Sequence, residues 1–170
     1  MGSKEILDFF FKRRSVRRFQ KKAIPEEILE VLMQAAMAAP SGNNFQPWEF
    51  VIVRDPRIKA DLSRVHPWVS MAAEAPAAIV VLGDTTSEWW EHDCSAAVEN
   101  LLLAAANLSL GAVWCGMREN HAQTIRKILG VPEKMGILCI IPIGYPAEKA
   151  SPQTKYRASK VHHDHYRNKP

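Results

Sequence analysis

The sequence predicts a single domain that interleaves helices and strands, of α/β or α+β class. Three observations lead there. Segments with helical spacing alternate with β-branched runs along the whole chain. The 170 residues, 47% hydrophobic and 24% charged, suit one globular domain with a real core. No apolar run approaches the roughly 20 residues needed to cross a bilayer, since Ile137 to Ile143 is far too short.

The elements follow in order. Residues 4 to 12 read as a short helix capped by Ser3. Pro25 suits a first helical position, with Glu26 and Glu27 in the first turn where the helix dipole favours anions. Ile28, Leu29, Leu32, Ala35 and Ala36 then keep helical spacing until Pro40, Ser41, Gly42 and Asn43 make a loop. Trp48 to Val53 is a strand. Asp55 and Pro56 cap and open a helix to about Val65. Ala77 to Leu82 is a buried strand closed by Gly83 and Asp84.

Asp93 is then the expected N-cap, and Gly111 the stop, of the most hydrophobic helix, which contains SAAVENLLLAAANLSL. A helix apolar on nearly all sides must be buried on all sides, in a central core or against a second subunit. Ala112 to Cys115 reads as a short strand, and Asn120 to Leu129 as a helix stopped by Gly130. Ile137 to Ile143 reads as a central strand. Beyond Pro146 the chain turns polar and basic with no apolar pattern, so it is disordered or ordered by lying on something else.

Charge is distributed unevenly. Lys12, Arg13, Arg14, Arg17, Arg18, Lys21 and Lys22 place seven cations in eleven residues. The net charge is only +4, so the remainder of the chain sums to −3. Concentrated rather than diffuse charge points to an anion site, for which the planar guanidinium fork is well suited. Lys4, Glu5 and Asp8 interrupt any apolar leader, so no secretion signal is expected. Cys94, Cys115 and Cys139 are odd in number and widely spaced, neither a disulfide framework nor a zinc site. A reducing, cytoplasmic compartment is expected.

Four constellations could carry chemistry. In extended backbone Arg13, Ser15 and Arg17 would share a face and could hold a phosphate, while such runs are also common as solvated basic surfaces. Pro40-Ser41-Gly42-Asn43-Asn44-Phe45-Gln46-Pro47-Trp48 gathers amides and a hydroxyl between two stiffening prolines. It suits a heterocycle or polyol, or is simply a helix-to-strand connection. At Trp114-Cys115-Gly116-Met117, Gly116 lets backbone approach a ligand, and Cys115 reads as a small buried hydrophobe rather than a nucleophile. Lys155-Tyr156-Arg157 puts two cations on one side of the tail. His162, His163 and His165 lack the rigid frame a metal site needs. No Walker A, GxGxxG, HExxH or GxSxG motif is present.

Taken together, the chain resembles the nitroreductase family of FMN-dependent oxidoreductases over about residues 5 to 158. The pieces come in family order: RRSVRRF from Arg13, PSGNNFQPW from Pro40, EAPAAIVV from Glu74, the apolar helix at Asp93-Cys94, LGAVWCG from Leu110, IPIGYP from Ile141 and KYR from Lys155. The resemblance implies an α+β fold with a central mixed or antiparallel sheet flanked by helices. It implies an intertwined homodimer with FMN at the interface, residues 1–170 forming one FMN-binding domain whose C-terminal arm, about 147–170, reaches the partner. Arg13, Arg14, Ser15 and Arg17 of one subunit would hold FMN, joined at the phosphate by Lys155 and Arg157. Pro40, Ser41, Asn44 and Gln46 would come from the other subunit, and Cys115 and Gly116 would lie over the ring. The implied activity is ping-pong hydride transfer from NAD(P)H through flavin to an electron-poor small molecule, a nitroaromatic or quinone, with no protein acid or base required. No nucleic acid or membrane partner is expected. The chain departs from longer relatives in offering no clear polar match between His66 and Ala75 for mid-chain flavin contacts. Two other readings stand beside this one: a nucleic-acid-binding protein led by the basic cluster, and a flavin sensor or store without turnover.

Overall fold

The computed structural model describes residues 3–167, with side chains from residue 5 onward, so the expected side-chain cap by Ser3 lies outside what is described. Among the described residues, five strands make the sheet: β1 (Trp48–Val53), β2 (Ala77–Asp84), β3 (Gly111–Ala112), β4 (Cys115–Gly116) and β5 (Met135–Gly144). Among the described residues, five α-helices flank it: α1 (Ser3–Phe11), α2 (Glu26–Met37), α3 (Pro56–Ser63), α4 (Trp90–Asn107) and α5 (Glu119–Leu129). The order is β1-β2-β5-β3, with β4 also on β5, and every strand pair is antiparallel. A sheet whose strand pairs are all antiparallel makes this α+β rather than α/β, with helices on both faces.

β2 and β5 are buried on both faces, and their alternating side chains build two cores. Ala77, Ile79 and Val81 face Leu29, Leu32, Ala97, Val98 and Leu101 of α2 and α4. Ala78, Val80 and Leu82 face Leu62, Ala122 and Ile125 of α3 and α5. A register shift between Val81 and Leu82 passes over Leu138. That one-residue bulge puts Ile137 in the same core as Ile140, although their odd separation would otherwise place them on opposite faces.

The strand expected over Ala112 to Cys115 is divided into β3 and β4. The cause is Pro142 in β5. Its carbonyl accepts from Val113 N at 3.3 Å, so its missing N–H falls on this same side. One ladder bond cannot form there, and Trp114 stands free between the two pieces.

Local signals place most element ends. Asp55 caps α3 by accepting from Arg57 N at 2.7 Å and Ile58 N at 3.2 Å. Gly130 ends α5 in left-handed backbone, φ 69°. Three expectations are corrected. Pro25 is the cap of α2 rather than its first residue. Asp93 is not a cap, because α4 begins at Trp90 and leaves Asp93 buried inside the first turn. Gly111 does not stop α4, which ends at Asn107; Ser109 takes the left-handed turn with φ 62°. Gly111 instead lies so close to the basic segment that a Cβ on it would meet Val16 at 2.6 Å. A short 3₁₀ helix, Pro67–Ala73, was not expected from the sequence at all. Among the described residues, no helix is long and apolar enough to cross a membrane.

Candidate functional site

The basic segment runs extended along the β3 edge. Ser15 bridges Ala112 in parallel, Val16 N donates to Ala112 O at 3.0 Å, and Gln20 N donates to Tyr145 O at 2.8 Å. The pleat then sorts its side chains. Arg17 enters a groove of about 440 Å³ with Trp68, Trp114, Cys115, Gly116, Met117 and Arg118. Lys12, Arg14 and Val16 line a different groove of about 600 Å³, beside Leu110 and Pro146. The expected convergence of Arg13, Ser15 and Arg17 is therefore incomplete. Arg13 Nε pairs with Glu99 of α4 at 3.4 Å, and Arg14 Nη1 donates to Gln153 Oε1 at 2.7 Å. Among the described residues, Arg17 pairs with no carboxylate.

Gly116 forms an open floor to the groove, since a Cβ there would meet only Trp114 Nε1, at 3.7 Å. Cys115 beside it is buried and donates its thiol to Trp68 O at 3.2 Å. Burial pushes that thiol up to about 11, against the opposing pull of Arg17, so it stays protonated near neutral pH. The reading of Cys115 as something other than a nucleophile agrees with this.

The Pro40–Trp48 loop lies elsewhere in the chain. Its Gly42–Asn44 turn holds Asn43 and Asn44 at φ 50° and 58°, a region asparagine tolerates better than most residues. Ser41 Oγ accepts from Gln46 N at 3.0 Å, and Gln46 Nε2 donates to Asn44 Oδ1 at 2.9 Å. Gly42 N donates to both carboxylate oxygens of Asp93, at 3.1 and 3.2 Å. The loop is thus latched to the start of α4, while the basic segment meets the same helix from Glu99 onward. Among the described residues, no hydrogen bond or ion pair joins Pro40, Ser41, Asn44 or Gln46 to Arg13, Arg14, Ser15 or Arg17.

The latch carries a prediction. Asp93→Ala leaves the Gly42 amide without its acceptor in a half-buried place and should cost about 1–3 kcal/mol. Urea denaturation should show this loss, and Asp93→Asn, which keeps one acceptor oxygen, should lose less.

The tail starts beside the basic segment. Ala147 N donates to Arg18 O at 2.9 Å, and Gln153 N to Phe11 O at 3.3 Å. Lys155 and Arg157 then line a separate exposed hollow with Thr154, Tyr156 and Lys160. The groove also brings together Trp68 and Arg118, with His66 and His121 beside them, none of which the sequence singles out as a site residue. Those four come from the 3₁₀ turn, its approach and the start of α5, so no local spacing signals that they meet.

Three comparisons bear on this arrangement. The sequence model of the Nitroreductase family matches residues 11–66 and 63–145. A protein of Methanothermobacter thermautotrophicus, provisionally named NADH dehydrogenase/NAD(P)H nitroreductase, is 37% identical over 164 residues, covering 93% of this chain and 86% of its own. The structure of a Bacteroides thetaiotaomicron protein with the same provisional name superposes with TM-score 0.93 and 40% identity, covering 98% of this chain and 100% of its own. An FMN-dependent nitroreductase of Clostridium difficile superposes with TM-score 0.90 at 31% identity, covering 94% and 99%.

Proposed function

The chain belongs to the nitroreductase family, and from that premise we propose that it is an FMN-dependent enzyme passing hydride from NAD(P)H to an electron-poor small molecule such as a nitroaromatic or quinone. The observation that carries this reading is the Arg17 groove. An unpaired guanidinium, an open glycine floor and two tryptophans make a slot for a flat ring that gains negative charge. FMN, when bound, supplies the centre that takes and returns hydride.

The chain's own residues prepare that slot. Arg17 sets a fixed cation against the charge of a reduced flavin, which favours reduction. Gly116 lets the ring lie close to backbone. The Cys115 thiol, protonated and bonded to Trp68 O, braces the 3₁₀ turn against β4. Arg13, Arg14 and Ser15, with Lys155 and Arg157, hold the phosphate. For this Arg13 gives up Glu99 and Arg14 gives up Gln153. No acid or base is assigned, and the two half-reactions alternate at one face.

The second half of the site is proposed to come from a second copy, through its Pro40, Ser41, Asn44 and Gln46. The separation of the two constellations in one protomer supports this. So does apolar surface left uncovered: Phe10 is 50% exposed on α1 and Met37 51% at the end of α2. Residues 1–170 then form one domain whose arm, from about 147, lies on the other copy. Tyr156 and Tyr166 are 74% and 81% exposed in the single chain, as an arm lacking its surface would be. The chain outside residues 12–22 sums to −3, so the basic cluster has no broad positive surface around it on which to track a nucleic acid. The three cysteines are buried and unbridged, which suits the cytoplasm.

One visible spectrum of the purified protein, followed by anaerobic NADH and then NADPH, tests the reading. A flavin spectrum that bleaches is expected. A flavin that stays oxidised with both donors would overturn turnover in favour of a sensor or store. Failure to take up added FMN would overturn the site itself.

A further inference from the structure

Arg118 lines the Arg17 groove beside a cluster of imidazole and indole rings. Trp68 lies at the groove, 45% exposed, with the His66 ring against it at 3.3 Å between centroids and tilted by 33°. His121, from the first turn of α5, meets both rings, at 5.1 Å from His66 and 5.9 Å from Trp68. Its Nδ1 accepts from Arg118 N at 3.3 Å, which restrains the backbone from which the Arg118 side chain enters the groove lining. The nearest acid in sequence, Glu119, is turned to Arg126 at 3.1 Å. Among the described residues, no carboxylate pairs with Arg118, His66 or His121. Desolvation, then His121, then Arg118 hold the His66 imidazole below its ordinary pKa, so the cluster already resists further positive charge.

A guanidinium lining a groove with no carboxylate to pair with it gains a charge-assisted partner when an anion enters. The indoles of Trp68 and Trp114, the latter 36% exposed, supply stacking surface for a flat ring in the same groove. We propose that Arg118 selects acceptors that are planar aromatic anions, its guanidinium meeting a carboxylate or similar oxyanion while Trp68 and Trp114 flank the ring. This rests on the groove being the reduction site. NAD(P)H also carries anionic groups and visits the same face, so the test must separate the two.

The experiment compares 4-nitrobenzoate with uncharged 4-nitrobenzamide, using the flavin-loaded wild type and Arg118→Gln. The variant should raise KM for 4-nitrobenzoate about ten-fold, leaving 4-nitrobenzamide and NADH within about two-fold of wild type. Arg118→Lys, which keeps the charge but not the fork, should recover part of the loss. A second readout needs no turnover. Tryptophan fluorescence of the oxidised protein, without NADH, should report tighter binding of benzoate than of benzamide, and Arg118→Gln should abolish the difference. Equal binding of the two in wild type would overturn the proposal, as would a benzoate preference that survives in Arg118→Gln. A KM increase confined to NADH or NADPH would also overturn it, assigning Arg118 to the dinucleotide. If the wild type holds no flavin or does not bleach, the parent reading fails; if it bleaches and shows no anion preference, only this inference fails.

Discussion

Arg17→Glu should yield a protein that folds as before but loses FMN on desalting, with the FMN dissociation constant raised about a hundred-fold or more. The size follows from replacing attraction by repulsion at a groove whose guanidinium has no carboxylate of its own to fall back on. The selectivity follows from the surroundings. Arg17 is exposed and makes no ion pair among the described residues, so circular dichroism and gel filtration should not change. Arg13→Glu should also release FMN, but less cleanly, because it sets a second carboxylate against Glu99. Fluorescence titration with FMN measures both. Unchanged flavin occupancy in the two variants would sink the proposed site.

The second large effect is on stability. Gly83 and Gly136 face each other across β2 and β5, and the indole of Trp90 lies over both. A Cβ on Gly83 would stand 2.4 Å from Trp90 Cε3 and 2.9 Å from Cys94 Sγ. A Cβ on Gly136 would stand 2.5 Å from Trp90 Cη2. These contacts are too close for a small adjustment, so helix and sheet must separate or the indole must leave. Gly83→Ala should therefore cost about 3 kcal/mol, the upper part of the usual overpacking range. At equal flavin loading this lowers Tm by roughly 6–12 °C for a chain of this size. The double variant Gly83→Ala/Trp90→Ala should show a smaller penalty for the glycine change than the single variant. Strict additivity would show that the indole is not the cause.

What the sequence made legible, and what it hid, divides by the range of the forces involved. β1 lies where expected, α3 takes the expected cap and α5 the expected stop, because β-branched content, an aspartate before proline and a terminal glycine act within a few residues. Asp93 misled because aspartate favours caps, whereas here its carboxylate is claimed by Gly42 from 51 positions away. Gly111 misled similarly: it is small because Val16 presses on it, not because a helix stops there. The 3₁₀ turn at Pro67–Ala73 has no period to detect. In the candidate site, alternation along the basic segment separated Arg14 from Arg17. It could not reveal that Arg13 turns to Glu99, a contact between distant elements. Arg118, His66, His121 and Trp68 were hidden for that reason too.

The break that Pro142 makes between β3 and β4 also bears on how the protein behaves at high concentration. An uninterrupted outer strand would offer another chain a row of free amides and carbonyls on which to polymerise. Here that side of the sheet is cut into two-residue pieces, and the first is already occupied by the bridge to Ser15. Intermolecular strand addition is thereby discouraged on this flank. The opposite flank, β1, must be guarded by other means, and the exposed charge of Glu49 stands there.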